Sequence, residues 1–465
     1  MQDKTRQDSA RQDSAPDHKA RKRLAALKAA LADAHKTLKL GFGFALWDGA
    51  TVPADWPAEG LRIRVADEGV FASLMRRPKL DTLIEAHVAG RIEIENGTIF
   101  DLAAARPEGK SGKLARKLSK MKLLRAAGLF LFAPRNAPPA LGGIEDDASR
   151  RSGAAETNRE NVSYHYDVSN AFYRLFLDDE MVYTCAYFQP DWHDDLDRAQ
   201  RDKLDMICRK LRLQPGDRFL DIGCGWGALI CHAARHYGVY ATGVTLSKEQ
   251  AALATEKAER LGLSERVRVE LKDYRALDQE FDKIASIGMF EHVGIDNHRD
   301  YFAAIHRLLR PRGLYLHHAI SRPAKGDDKA FRKMRAEYKA LVRYIFPGGE
   351  LDHLGMSIAN LERTKFEVHD VEGWREHYAR TTRLWFERLH ANRAAAEAEV
   401  GPEKTRMWLL YLAGCSLAFE RSAVGIFQTL VSRRAKGPAG LPPSRAHLYA
   451  PASPSAAGAG DQGVT

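Results

Sequence analysis

The sequence predicts an α/β fold, a doubly wound Rossmann-like sheet preceded by a smaller α+β N-terminal domain. Two observations carry this expectation. From Arg218 onward, short apolar runs alternate with helical patterns at the spacing of βαβ units, which implies a parallel sheet with helices on both faces. The first of those runs ends in a turn with three alternately spaced glycines, the kind of junction found at the carboxyl edge of such a sheet.

The N-terminal region is organised differently. Arg6-Gln-Asp-Ser-Ala10 repeats as Arg11-Gln-Asp-Ser-Ala15, and so polar a segment has little to bury, so residues 1–17 are expected to form a disordered tail. A helical pattern runs from near His18 to about Leu40, and alternating segments at Leu61 to Val65 and Gly90 to Ile94 suggest strands. Together they predict a small α+β domain over 18–133, whose association with lipid or membrane is inferred below from its basic stretch and from a family resemblance. Residues 134–158, rich in Pro, Gly and charge, read as a linker, 159–437 as the catalytic domain, and 438–465 as a loose tail rich in Ala, Gly, Pro and Ser.

Phe219-Leu-Asp-Ile-Gly-Cys-Gly-Trp-Gly227 is the most informative stretch. Arg218 to Ile222 reads as a buried strand, and Gly223, Gly225 and Gly227 let the backbone turn sharply and approach a ligand without Cβ clashes. A dinucleotide fingerprint has the spacing G-x-G-x-x-G. Here the spacing is G-x-G-x-G behind Asp221, which is similar to the first motif of class I S-adenosylmethionine-dependent methyltransferases. A nicotinamide or flavin site and a ligand-free turn are the competing readings of the turn alone.

The following strands bring polar residues to the same edge. Val239 to Val244 ends at Thr245-Leu-Ser-Lys-Glu-Gln250, so Thr245 and Gln250 stand where many nucleotide folds place a ribose-binding acid. Val267 to Leu271 leads into Lys272-Asp273-Tyr274, where Asp273 and Tyr274 are candidates for an adenine contact. Phe281 to Ile287 opens into Gly288-Met-Phe-Glu-His-Val-Gly294.

Further motifs fall upstream and downstream: Asn161-Val-Ser-Tyr-His-Tyr-Asp-Val-Ser-Asn170, Tyr183-Thr-Cys-Ala-Tyr-Phe188, Phe290-Glu-His-Val-Gly294, His317-His-Ala-Ile320 and Tyr344-Ile-Phe-Pro-Gly348. With the glycine turn and Val244 to Gln250, this set resembles the cyclopropane-fatty-acyl-phospholipid synthases from about Asn161 to about Arg434. The resemblance implies methyl transfer from S-adenosylmethionine to a cis double bond of a phospholipid acyl chain, followed by loss of a proton as the ring closes. An alkene is a poor nucleophile, so the methyl donor must be held close and aligned. The carbocation that follows needs a base and a pocket free of stray water.

The resemblance also implies that the base is a bound bicarbonate. Its side-chain ligands would be Glu291, His318 and the phenol of Tyr378 in Glu376-His-Tyr-Ala-Arg380, with the backbone amides of Cys185 and Ile320 completing the cage. Glu291 could accept the bicarbonate hydroxyl. Tyr183 and Thr184 are candidates for cofactor contacts, beside Asp221 and the three glycines. Structural alternatives stand next to each: Glu291 as cap of a helix near Gly294, His318 as a satisfied core histidine, Tyr378 as simple packing. Tyr164, His165 and Tyr166 either close the site or pack within a loop. Cys185 with histidine motifs elsewhere invites a nucleophile reading, set aside because no acyl transfer is implied.

Composition bounds the rest. With 465 residues and 45% hydrophobic content the chain can fill two domains, and no apolar run approaches the roughly 18–20 residues that span a bilayer. The start, Met1-Gln-Asp-Lys-Thr-Arg, has no apolar signal core. Cys185, Cys208, Cys224, Cys231 and Cys415 are odd in number and lack zinc-type spacing, so reduced cytoplasmic thiols and no metal site are expected. The net charge of +10 is concentrated in Lys110 to Arg125, which holds seven Lys or Arg residues and no acid, with Leu114, Leu118 and Met121 at helical spacing. Such a stretch can lie on an anionic membrane, each cation contributing about 1 kcal/mol; a basic linker is the alternative. Nucleic acid is not expected as a partner, because no aromatics are interleaved for stacking.

These features predict a peripheral enzyme at the inner face of the membrane that acts on unsaturated phospholipids; a homodimer is implied by the resemblance. The nearest alternative is a fatty-acyl methyl- or methylene-branching enzyme, since the cation is common to both outcomes. A small-amine or RNA methyltransferase stands further off, as does a non-catalytic lipid-binding protein that keeps the cofactor fold.

Overall fold

The computed structural model describes residues 15–107, 109, 116–136, 168–333, 338 and 349–449. The N-terminal repeat lies outside these residues apart from Ala15, as do all but the first three residues of the expected linker, the motif with Tyr164, His165 and Tyr166, and Tyr344 to Gly348. The chain divides into two compact units, Met1–Gly143 with Gly401–Leu410, and Ile144–Val400 with Tyr411–Thr465.

In the first unit, the helix Ala15–Leu38 is followed by β1 (Gly43–Ala45), β2 (Thr51–Val52), β3 (Arg62–Val65) and β4 (Ile92–Glu95). They form a sheet in the order β2-β1-β3-β4, with β1 parallel to β3 and the other pairs antiparallel. β4 starts later than the expected Gly90 because Gly90 takes φ 71° just beyond the end of the helix Leu80–Val88. Leu27, Leu46, Val52, Val65, Val70 and Phe130 form the core. Gly401–Leu410 joins this unit rather than the domain expected over 159–437, and Arg406 shows why: its guanidinium donates to the Val88 carbonyl at 3.1 Å and lies 3.6 Å from Glu93.

Among the described residues the basic stretch is helical from Lys120, in the helix Lys120–Phe130, where Ser119 caps the first turn. Leu118 precedes that helix and Leu114 lies outside the described residues, so the three apolar positions read from the sequence do not share one described helical face. Ala126 and Phe130 face the core, while Met121, Leu124 and, past the helix end, Phe132 are 79%, 72% and 87% exposed.

The second unit holds a seven-stranded sheet. Its strands are β5 (Arg218–Ile222), β6 (Tyr240–Thr245), β7 (Val267–Leu271), β8 (Phe281–Ile287), β9 (Leu309–Ser321), β10 (Phe366–Gly373) and β11 (Gly425–Arg433), in the order β10-β11-β9-β8-β5-β6-β7. β5 to β9 are parallel where they pair, as the βαβ spacing predicts. One face is covered by the helices Leu196–Leu211 and Ala228–Tyr237 through Leu204, Ile207, Leu229 and Ile230, and the other by His298–Leu308 and Leu354–Arg363 through Phe302, Ile305 and Leu361. Chain order reverses at β5, which lies between β6 and β8, and it is outside the carboxyl ends at such a switch point that open α/β sheets bind ligands.

β11 is antiparallel to both β9 and β10 and lies between them, an insertion the sequence reading did not anticipate. It also explains why β9 is longer than the expected Gly313 to Leu316: Gly425 to Ser432 pair along Ser321 to Leu314. Among the described residues, no helix is long and apolar enough to cross a membrane.

Candidate active site

The glycine turn adopts the backbone its composition allows. Gly223, Gly225 and Gly227 have φ of 80°, 54° and 84°, a region that side chains other than glycine rarely occupy. The N–H groups of Gly223 and Cys224 both donate to the Val244 carbonyl, at 2.9 and 3.1 Å, which ties the turn to the end of β6. The glycines then differ. A Cβ on Gly227 would stand 2.9 Å from that of Ala254 on the neighbouring helix, whereas a Cβ on Gly225 would meet nothing within 4 Å. Gly227 therefore serves packing, and Gly225 faces open space.

Beneath the turn, Asp221 is buried with Oδ1 unpartnered, and burial, partly opposed by Lys203, pushes its carboxyl up to about 7. At the end of β6, Thr245 Oγ1 donates to Gln250 Oε1 at 2.7 Å, while Ser247 caps the helix Lys248–Arg260. Both side chains are buried and uncharged, so this edge offers donors and acceptors without a carboxylate. Asp273 is instead engaged locally: it accepts from the Arg275 amide at 2.9 Å and from the same guanidinium at 2.7 and 3.0 Å. Tyr274 packs edge-on against Tyr301 at 5.4 Å.

Tyr183 and Thr184 lie against the same region. A Cβ on Gly288 would stand 2.8 Å from Thr184 Cγ2, so Thr184 packs on the turn after β8. Its hydroxyl accepts from the buried Lys203 ammonium at 2.9 Å. Tyr183 has its hydroxyl 3.2 Å from that of Tyr411 and is ringed by Tyr173, Phe176 and Trp385 at 5.4, 6.2 and 5.1 Å. Lys203 was not found by the sequence reading. Burial holds its ammonium below the ordinary lysine range, with Asp178 the main opposing charge. The signal was present: on the helix Leu196–Leu211, Gln200, Lys203 and Lys210 are buried among Leu204, Ile207 and Leu211, polar residues in an apolar stripe.

Just after β8 and within β9, Glu291 and His318 each keep a buried polar atom without a partner. Glu291 sits in the single 3-10 turn Phe290–His292, not as the cap of the following helix, which Asn297 precedes. Its Oε1 accepts the Ile320 N–H at 2.7 Å, while Oε2 is buried without a partner. Burial pushes this carboxyl up to about 7. The Ile320 amide, expected to face an anion directly, is thus bonded to Glu291.

His318 is 1% exposed, with Nδ1 3.1 Å from Gln428 Nε2 and Nε2 buried without a partner. Burial, reinforced by Lys203 and Lys210, holds its imidazole well below the ordinary histidine range, so the ring is neutral. The Gly288 N–H donates to the His318 carbonyl at 2.8 Å, and the His318 ring lies 5.2 Å from Trp374, in the cluster that Ile320 also packs against. His317 turns to the opposite face, where Nδ1 lies 2.9 Å from the Tyr315 hydroxyl.

Cys185, Ile320 and Tyr378 belong to one apolar cluster with Trp374 and Phe419. Tyr378, on the helix Arg375–Ala391, stacks near Phe419 at 4.7 Å and lies 6.0 Å from Trp385. The Cys185 thiol is fully buried, and burial raises it well above the ordinary thiol range, which leaves no thiolate for nucleophilic attack. Cys185→Ser should accordingly retain turnover within about tenfold, whereas a nucleophile would lose several orders of magnitude; steady-state kinetics separates the two. Among the described residues no group of three or more His, Cys, Asp or Glu is arranged to hold a metal ion.

The sheet's switch point, an open approach at Gly225 and the uncharged Thr245–Gln250 pair define a class I S-adenosylmethionine-dependent methyltransferase. The buried, unpartnered oxygen of Asp221 adds an acceptor beneath the turn, and these residues fit the cofactor. The chain belongs to the mycolic acid cyclopropane synthetase family, whose profile matches residues 154–429. A probable fatty acid methyltransferase of Pseudomonas putida is 40% identical over 432 residues, covering 92% of this chain and 100% of that protein. The cyclopropane-fatty-acyl-phospholipid synthase of Escherichia coli K12 is 39% identical over 269 residues, 58% of this chain and 66% of that protein. The solved structure of a mycolic acid cyclopropane synthase complexed with SAH and CTAB superposes with a TM-score of 0.55 at 36% identity, covering 59% of this chain and 98% of that chain.

Proposed function

We propose that this enzyme transfers the methyl carbon of S-adenosylmethionine to cis double bonds in the acyl chains of intact phospholipids and closes a cyclopropane ring, with bound bicarbonate as the base. The observation that carries this reading is a pair of buried, unpartnered polar atoms, Glu291 Oε2 and His318 Nε2, whose side chains both adjoin the apolar cluster of Cys185, Ile320, Tyr378 and Trp374, Glu291 through the Ile320 N–H and His318 through the Trp374 ring at 5.2 Å. Buried polar atoms without partners are rare and costly. One acceptor and one donor there suit a small anion that carries its own hydroxyl.

When bound, S-adenosylmethionine supplies an electrophilic methyl group and bicarbonate a proton acceptor. The chain's own residues do the rest. Gly225 lets the backbone approach the cofactor, and Thr245 and Gln250 offer it uncharged hydrogen bonds. Glu291, when ionised, accepts a hydroxyl at Oε2 while the Ile320 N–H holds Oε1 in place. Tyr173, Phe176 and Trp385 ring Tyr183, and such an aromatic lining would exclude water and favour a cation beside it. The phospholipid acceptor is supported by the name of the Escherichia coli relative. The name of the Pseudomonas putida relative favours a second reading, methyl or methylene branching without ring closure.

Incubation of the purified enzyme with S-adenosylmethionine and vesicles of a cis-monounsaturated phospholipid tests the proposal. A gain of one methylene unit with loss of the alkene, read by mass spectrometry and proton NMR, is the expected result. A methyl or methylene branch would establish the second reading, and unchanged lipid would reject both.

The proposal places the enzyme at the inner face of the membrane through exposed Met121, Leu124 and Phe132, which share their segment with exposed Arg116, Lys117, Lys120 and Arg125. At about 1 kcal/mol per cation near an anionic surface, replacing those four with Gln should weaken sedimentation with phosphatidylglycerol vesicles by a hundredfold or more. Unchanged binding would leave the segment without a membrane role. A homodimer remains part of the proposal, and light scattering reads it directly.

A further inference from the structure

Behind His318 runs a line of buried polar groups that the reaction itself does not use. The Glu372 carboxylate pairs with the Lys210 ammonium, Lys210 Nζ donates to Gln428 Oε1 at 2.7 Å, and Gln428 Nε2 stands 3.1 Å from His318 Nδ1. Lys210, Gln428 and His318 are each 1% exposed. Four elements contribute: the helix Leu196–Leu211 with Lys210, β10 with Glu372, β11 with Gln428, and β9 with His318 itself.

Donor and acceptor chemistry gives this line a direction. An ammonium has only hydrogens to offer, so the amide atom that faces Lys210 must be the Gln428 oxygen. The Gln428 NH2 then faces His318, and Nδ1 must accept. A neutral imidazole that accepts at Nδ1 carries its proton on Nε2, the atom left without a protein partner. Protonation of Nδ1 would set two donors face to face in a dry interior. We propose that Lys210 and Gln428 are positioning residues that lock His318 as a neutral Nε2–H donor toward the anion, so that it neither accepts nor delivers a proton during the reaction. Burial draws the Lys210 ammonium below the ordinary lysine range, and its ion pair with the Glu372 carboxylate opposes that loss of charge. This assignment rests on the proposed anion site for its purpose, but the tautomer can be read without it.

The test uses the full-length enzyme with isotopically labelled histidine. Long-range proton–nitrogen correlation reports which ring nitrogen carries the proton, and the His318 signal is assigned by its loss in His318→Gln. The expected wild-type result is a neutral ring protonated on Nε2 at every pH from 6 to 9. Gln428→Glu places an acceptor against Nδ1, so the proton should move to Nδ1 or the ring should become an imidazolium. Apparent affinity for bicarbonate, read from bicarbonate-stimulated turnover, should then fall at least tenfold while S-adenosylhomocysteine binding by calorimetry is unchanged.

The double variant Lys210→Met/Glu372→Gln removes the directing charge without burying a new one and serves if Gln428→Glu does not fold; it should yield a mixture of tautomers. A wild-type ring protonated on Nδ1, or variants that leave the tautomer unchanged, would overturn the proposal. A tautomer that follows residues 210 and 428 in an enzyme indifferent to bicarbonate would uphold the lock and remove the assignment of bicarbonate as base.

Discussion

Glu291→Gln should bind S-adenosylhomocysteine as tightly as the wild type and lose about 10²- to 10⁴-fold in turnover, the range ascribed to a positioned acid–base group. The amide keeps an oxygen for the Ile320 N–H, which Glu291 Oε1 now accepts at 2.7 Å, so the local fold survives. What disappears is the charge at Oε2, the buried atom with no protein partner. The wild-type profile should also rise with pH through about 7, where the carboxyl ionises, and the variant should lack that rise.

The same substitution carries a stability signature of opposite sense. Between pH 4.5 and about 7 the unfolded chain has released a proton that the folded chain keeps, so wild-type stability falls as pH rises through that window. The gap corresponds to about 3 kcal/mol at most, and Glu291→Gln should therefore be more stable than wild type by about 1–3 kcal/mol at pH 8. The gain should vanish below pH 4.5, where the Glu291 carboxyl is protonated in the folded and the unfolded chain alike. Near-normal turnover would remove Glu291 from the chemistry, and equal denaturation midpoints at pH 8 would contradict its burial as a charge.

The second large effect separates two glycines of one turn. Gly225→Val should reduce affinity for S-adenosylhomocysteine by a hundredfold or more, about 2.7 kcal/mol, while the protein stays folded. Its side chain would enter the open space beside Gly225, and a β-branched residue at φ 54° adds strain of about 1–3 kcal/mol. Gly227→Ala should do the reverse. Its Cβ would press on Ala254 at 2.9 Å, so the helix Lys248–Arg260 must shift and stability should drop by about 1–3 kcal/mol. Calorimetry and thermal unfolding on both variants decide the matter. Equal cofactor affinity in Gly225→Val and wild type would mean that the ligand does not approach the turn there.

The parts legible in the sequence were those with a local cause. A strand of five residues feeding alternate glycines is specified within ten positions, 218–227, and Arg218–Ile222, Val267–Leu271 and Phe281–Ile287 form where the apolar runs lie. Asp221, Thr245, Gln250, Glu291 and His318 could be placed at strand ends for the same reason. The antiparallel β11 was not legible, because pairing across more than a hundred residues leaves no period within either strand. Lys203, Lys210 and Gln428 were missed for a related reason: a buried polar group is defined by its partners, and Lys210 and Gln428 meet only through the folded sheet. The engagement of Asp273 by Arg275 and of the Ile320 amide by Glu291 likewise depends on side-chain geometry that spacing does not report.

The position of β11 has a consequence for the order of assembly. β5 to β8, with the glycine turn and the Thr245–Gln250 pair, are complete by Ile287, so a nascent chain can build the cofactor-binding edge from neighbouring segments. β11 arrives more than a hundred residues later and must slot between β9 and β10, closing a long loop to reach pairings distant in sequence. Until it does, β9 presents an unpaired edge along Leu314 to Ser321, a template for association with other chains. Gln428 arrives on that same strand, so the step that seals the sheet edge also sets the orientation of His318. Catalytic competence is therefore gained last, in the docking step that ends exposure to aggregation.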